Sequence, residues 1–249
     1  MERFRLLLIS ILSLFIVFLG IPLEGDAKFP DGKVINYVAL GDSLAAGKPP
    51  YPSEENGNGY PEYIAERFEQ SNYDISLSNH GENGHTTADV LTDLEDEDIQ
   101  KDIKEADILT IDIGANDLLA HFFVGDLAGL QSASTTAVDN IDKILSEIRN
   151  LNEDVDIYVM GYYNAIEPYE RYRDLEYKIL PLLQHFNDSI KEVTESADAV
   201  FVPTFKVIAK DYDTYLPHAD VHLSEEGYQA VAKEFWKKMT PRKYGEYGE

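Results

Sequence analysis

Cysteine is absent from the 249 residues, which removes disulfides, thiolate nucleophiles and Cys-ligated zinc at one stroke. Positive charge is scarce: 21 Lys and Arg stand against 46 Asp and Glu, a formal net charge of −25. Nucleic acid and anionic membranes are held by clustered Lys and Arg, so both are excluded as main partners, and neutral or cationic substrates fit better. Such acidity alone would also suit a disordered chain. A hydrophobic content of 44%, with 16 Tyr and 11 Phe, argues instead for a globular one. Neither an internal repeat nor a break in composition marks a second domain, so one domain with one core is expected.

Long uncharged runs are also missing, with one exception. Arg3 and Arg5 precede an uncharged run over 6–23, and Gly25 and Ala27 supply small residues at the positions a signal peptidase reads. Residues 1–27 therefore read as a secretory signal and 28–249 as the exported domain. The rival reading is an uncleaved membrane anchor, because the run approaches the ~20 residues that span a bilayer, although Gly20 and Pro22 interrupt its end.

What is present is a series of apolar strands, each ending in small polar residues. Residues 34–40 form a near-continuous apolar run, as in a parallel strand buried on both faces, and Gly41, Asp42 and Ser43 follow without a spacer. A Pro-, Gly- and Asn-rich loop leads to a helix over 61–70. A short strand over 74–77 runs into the turn 78–87, and 88–105 reads as one acidic, solvated helix. The strand 107–113 ends in Gly114, Ala115, Asn116 and Asp117. Residues 118–130 are apolar enough for a core helix or the wall of an acyl pocket, and 138–151 keep a clear 3.6-residue period. A strand over 156–161, a tyrosine-rich segment 162–177, a helix over 175–196 and a strand over 199–203 follow. The segment 216–228 precedes a last helix carrying Phe235 and Trp236, and from 241 the tail reads as frayed.

Five strands alternating with helices predict an α/β fold, a parallel sheet with helices on both faces. All strand carboxyl ends then open on one side, so Ser43, Gly84, Asn116 and His222 can meet there. A serine hydroxyl needs a base within hydrogen-bond reach and donors for the oxyanion formed on attack. His222 is the candidate base for Ser43. Gly84, in the turn 78–87, can present a bare main-chain N–H, and Asn116 a side-chain amide.

At these residues the chain resembles the SGNH or GDSL-type serine esterases and lipases, with a likeness to secreted Gram-positive members of the spore-germination lipase kind. Four blocks carry the resemblance in order: Gly41-Asp42-Ser43-Leu44, residues 79–87 around Gly84, Gly114-Ala115-Asn116-Asp117, and Asp220-Val221-His222 with Gly227-Tyr228. The resemblance implies a three-layer α/β/α flavodoxin-like sandwich and a carboxylic-ester hydrolase that needs neither cofactor nor metal. It also implies Ser43 as nucleophile, His222 as base, and an oxyanion hole from the main-chain N–H groups of Ser43 and Gly84 and the side chain of Asn116. Lipid esters, lysophospholipids and acetylated glycans are the substrate classes, with peripheral contact at membrane or cell wall as a possible setting. The family places its Asp three residues before the His, where this chain has Ala219. Two residues apart in an extended strand, Cα atoms stand ~6.6 Å from each other, far for a short carboxylate. Either Asp220 orients His222 through a bent loop, or a backbone carbonyl does so and the site is a dyad.

Two other readings stand beside this one. A catalytically silent protein of the same fold would use the tyrosine-rich rim to bind glycan or envelope, and a metal hydrolase would use His218 and His222 at i, i+4. His80 and His85 read as structural or rim residues, while Asp42 and Asp117 read as turn or cap residues bonding local backbone. The oligomeric state is open.

Overall fold

The computed structural model describes residues 34–51, 54–166, 173–217 and 220–239. The predicted signal 1–27, the tail from 241, His218, Ala219 and part of the tyrosine-rich segment lie outside the described residues.

Five parallel strands form one sheet in the order β2-β1-β3-β4-β5. They are β1 (Ile35–Gly41), β2 (Ile75–Gly81), β3 (Ile108–Asp112), β4 (Asp156–Gly161) and β5 (Val200–Pro203). Every residue of β3 and all but Asn36 of β1 are buried, as apolar runs covered on both faces require. The helices gather in two groups. On one side α1 (Tyr60–Gln70) packs against α9 (Glu225–Met239), with Tyr60 stacked on Phe235 at 4.8 Å and Phe68 edge-on to Trp236 at 4.8 Å. Burying rings of this kind contributes about 1.5–3 kcal/mol each. In the other group α5 (Leu127–Leu151) is packed by α2 (Thr87–Asp93), α3 (Glu97–Glu105), α4 (Ala115–Phe122) and α6 (Arg173–Ser196).

The strand order is the flavodoxin-like one, in which the chain leaves β1 toward one edge and returns to the other side of it as β3. Loops after β1 and β3 then diverge and leave a crevice at their carboxyl ends. Ser43 lies after the first of these strands and Asn116 after the second.

Several boundaries differ from the sequence reading. β2 extends through Gly81, because its backbone ladder with β1 continues through Ala39↔Asn79 and Gly41↔Gly81. Polar side chains are tolerated there since they find partners: Asn79 donates to the Ala45 carbonyl and to Glu62, both at 2.8 Å, and His80 pairs with Asp102 at 2.9 Å. The acidic helix is two helices, restarted by Asp96, whose carboxylate caps the N–H groups of Asp98 and Ile99. The apolar stretch 118–130 is likewise broken. Gly125 turns the chain with φ 73° and Asp126 caps α5 at Gly129. Two short helices, α7 (Phe205–Ile208) and α8 (Tyr212–Tyr215), occupy what reads as an irregular loop.

Candidate active site

Ser43 begins the turn after β1, and its hydroxyl is 2.9 Å from His222 Nε2. His222 Nδ1 in turn lies 2.5 Å from Asp220 Oδ1. The described geometry thus joins three residues that are 179 positions apart at the extremes into one hydrogen-bonded chain. Asp220 reaches the ring because the segment is bent rather than extended. The same Oδ1 accepts the main-chain N–H of His222 at 2.9 Å, the i to i+2 bond of an Asx turn, which folds the carboxylate back onto the ring two residues on. Of the two arrangements open at Asp220, this is the bent-loop one. Burial alone would raise the Asp220 carboxyl; the hydrogen bonds from His222 and its charge outweigh that and leave it below the ordinary carboxylate value. The metal reading has no support in this geometry: both ring nitrogens of His222 are engaged, and His218 is outside the described residues.

Two tyrosines hold the parts in place. Tyr163 donates to the Val221 carbonyl at 2.7 Å and so fixes the loop of Asp220 and His222. Tyr228, on α9, donates to the Lys48 carbonyl at 2.6 Å, closing the turn that follows Ser43. Neither role is legible in a composition. Tyr162 and Tyr163 are buried and also line the pocket described below, while Tyr177 is exposed.

Asn116 is the second residue of α4, whose N-cap Gly114 has a φ of 116° that needs a residue without Cβ. The Asn116 amide donates to the His85 carbonyl at 2.8 Å, and its Nδ2 also stands 3.4 Å from Asp42 Oδ2. The first bond ties the amide to the turn that carries Gly84. Gly84 itself is exposed, with φ 87° and open space where a Cβ would be, and is not among the residues lining the pocket described below. His85 is held between Glu82 at 3.1 Å and Asp93 at 3.2 Å, which is the structural role expected for it. Asp42 does bond local backbone, at the Leu44 N–H, 3.0 Å away. Asp117 does not: it accepts the N–H and hydroxyl of Thr87, 30 residues away, at 3.0 and 2.6 Å, and pins α2 to α4. Replacing Asn116 with Ala is expected to lower kcat on a chromogenic ester by about 10²–10³-fold, the usual cost of one oxyanion donor. A loss confined to KM would assign the amide to substrate binding instead.

Ser43, Asn116 and His222 open onto a pocket of about 120 Å³ that is partly open to solvent. Its walls are apolar: Leu118, Leu119 and Phe122 from α4, Leu130 from α5, and Ile179, Leu182 and Phe186 from α6. Of residues 118–130, then, Leu118, Leu119, Phe122 and Leu130 form pocket wall, while Phe123, Val124 and Leu127 are exposed. Among the described residues no cluster of three or more His, Asp or Glu is placed to hold a metal ion.

The chain can now be set against known proteins. Spore germination lipase LipC of Bacillus licheniformis is 26% identical over 217 residues, covering 85% of this chain and 97% of that protein. The uncharacterized protein YpmR of Bacillus subtilis is 30% identical over 150 residues, 57% of this chain, and the match spans 57% of YpmR. Among solved structures, the lipase Lip_vut3 from goat rumen metagenome superposes with a TM-score of 0.70 at 23% identity, over 82% of this chain and 97% of that one. Axe2, an acetylxylan esterase from Geobacillus stearothermophilus, superposes with a TM-score of 0.65 at 19% identity, over 86% of this chain and 97% of Axe2. These two likenesses show the fold. The model of the GDSL-like lipase/acylhydrolase family matches residues 39–230, from the strand before Ser43 to the helix after His222, and the chain belongs to that family.

Proposed function

We propose that the protein is a serine carboxylic-ester hydrolase whose substrates carry a fatty acyl chain. The observation that carries this reading is the hydrogen-bonded chain Ser43–His222–Asp220 opening onto an apolar pocket. His222 Nε2 takes the hydroxyl proton as Ser43 Oγ attacks the ester carbonyl carbon. The imidazolium so formed faces the Asp220 carboxylate, and the oxyanion is held by the Asn116 amide with the main-chain N–H of Ser43, the Gly84 N–H serving as a third donor only if its turn moves toward the pocket. Collapse breaks the bond to the alcohol, which leaves with the proton from His222. Water, deprotonated by His222, then releases the acid from the acyl-serine and restores Ser43.

The pocket favours a lipid ester over an acetylated glycan. Beside Ser43 its walls are mostly leucine, isoleucine and phenylalanine, an apolar surface longer than an acetyl group can cover. On a series of p-nitrophenyl esters, kcat/KM is expected to rise with acyl length by up to about 0.8 kcal/mol per methylene, roughly fourfold, until the pocket is full. Leu182→Trp, which adds bulk to the pocket wall, is expected to move the preferred length downward. A preference for acetate in the parental protein would remove the fatty-acyl part of the proposal, and failure of a fluorophosphonate probe to label Ser43 would remove the serine mechanism.

A further inference from the structure

Beneath Ser43 lies a pair of acids that these steps do not use. Asp42 follows β1 and Asp112 ends β3, where Gly41 is in register with Asp112. Asp112 is 0% and Asp42 2% exposed. Their side chains are in contact, and the Asp42 N–H donates to the Asp112 carbonyl at 3.1 Å and stands 3.4 Å from Asp112 Oδ2. A carboxylate has no proton to donate, so two carboxyl groups in such contact need one proton between them. Two like charges at this separation, away from water, cannot both persist.

The surroundings fit a neutral Asp112 and a charged Asp42. Asp112 takes the Tyr60 hydroxyl at 2.7 Å, and Tyr37 bonds Thr110 beside it at 2.9 Å. At Gly41 a Cβ would collide with the Asp112 carboxyl, so the glycine keeps the space in which that group sits. Asp42 faces the reacting groups: Oδ1 accepts from Leu44 and stands 3.5 Å from Ser43 Oγ, and Oδ2 stands 3.4 Å from the Asn116 amide. Burial raises both carboxyls; at Asp112 the Asp42 charge adds to it and pushes the group well above the ordinary carboxylate value, whereas at Asp42 the bonds from Leu44 and Asp112 oppose it.

We propose that Asp112 is a positioning residue: as a neutral acid it donates its proton to Asp42, holds that carboxylate between the Leu44 N–H and the Asn116 amide, and leaves a single negative charge under Ser43 and His222. One such charge favours the imidazolium formed during attack. A second would leave an unpaired buried charge and loosen Asp42. The positioning role rests on the serine mechanism proposed above, whereas the shared proton does not.

The groups facing the pair are His222 from the loop before α9 and the hydroxyls of Tyr37, Tyr60, Tyr162, Tyr163 and Tyr228; Asp117 stands near Tyr162, and Asp220 near Tyr163 and Tyr228. Burial raises all five hydroxyls, so they stay protonated across the neutral range. Above the unfolded carboxylate value the folded chain keeps one proton that the unfolded chain has lost. Stability therefore falls with rising pH by the slope of one proton until the pair gives that proton up.

The test uses Asp112→Asn, whose amide can donate to Asp42 and accept from Tyr60, beside Asp112→Leu, which can do neither. Infrared spectra of the parental protein at neutral pH should contain the carbonyl stretch of a protonated carboxylic acid that is missing in Asp112→Asn. Asp112→Asn should keep most of the parental kcat and lose the one-proton slope in stability. Asp112→Leu should lose kcat by roughly tenfold or more, the effect of one hydrogen-bond partner removed from a buried charge, with KM little changed. Absence of the infrared band, or equal losses of kcat in the two variants, overturns the proposal. If the leucine variant does not fold, the band and the asparagine variant decide. A protein with the band but with an unreactive Ser43 would sink the serine mechanism and the positioning role while leaving the shared proton in place.

Discussion

Ser43→Ala is expected to lower kcat on p-nitrophenyl butyrate by roughly 10⁶-fold, the scale of loss when a triad's serine is removed. The reason lies in what the alanine takes away. Ser43 Oγ is the atom 2.9 Å from His222 Nε2 at the mouth of the apolar pocket, and without it the base has no nucleophile to activate. The side chain contributes little to the core: it is a small group in a turn, held otherwise by main-chain bonds such as Lys48 N–H to the Ser43 carbonyl at 2.9 Å. The variant should therefore melt close to the parental protein and lose fluorophosphonate labelling entirely. Parental turnover in purified Ser43→Ala would end the serine mechanism and favour a binding protein on the same fold.

Asp220→Asn should cost about 10⁴-fold in kcat, as expected when the acid that orients a triad histidine is made neutral. At 2.5 Å from Nδ1 the carboxylate selects the tautomer that leaves Nε2 free to accept the Ser43 proton, and it then stabilises the imidazolium. An asparagine with its carbonyl oxygen in that place keeps the Asx turn but lacks the charge, and one with its amide turned to the ring loses the turn and selects the wrong tautomer. A dyad held by a backbone carbonyl predicts nearly full activity, so the measurement separates the two. The pH dependence of stability gives a second readout. Because the Asp220 carboxyl is lowered in the folded state, its stabilisation is complete above the ordinary carboxylate value and is lost as pH falls through the lower folded value. That acid-side loss should be missing in the asparagine variant.

Which parts of this site can be read along the chain follows from the kind of information each carries. Ser43 and Asn116 are legible because each sits a few residues past an apolar run, and open parallel sheets place their ligand sites at such strand ends. His222 is legible from its place before the last helix and from the block it shares with Gly227 and Tyr228. Asp112 is different. It reads as the polar end of a strand, and only the register with Gly41 shows that it is buried against Asp42. Tyr163 and Tyr228 read as two of many tyrosines until their hydroxyls are found on the Val221 and Lys48 carbonyls. Helix breaks at 94–96 and 123–126 were hidden for a related reason, since a cap is a local hydrogen bond that competes with an otherwise continuous periodic pattern.

By itself the sequence determined the order of the five strands and of the longer helices between them, the absence of thiol chemistry, and the residues that could act as nucleophile, base and amide donor. These depend on hydrophobic period, on composition and on short-range turn chemistry, all of which are written locally. Only the tertiary structure decided how His222 is held, because the bend at Val221 that lets Asp220 serve from two residues away is a three-dimensional fact about one carboxylate and two nitrogens. It likewise decided that α4, α5 and α6 enclose an apolar pocket and that two acids share the floor beneath Ser43, since contacts between distant segments exist only once the sheet has brought β1 and β3 side by side.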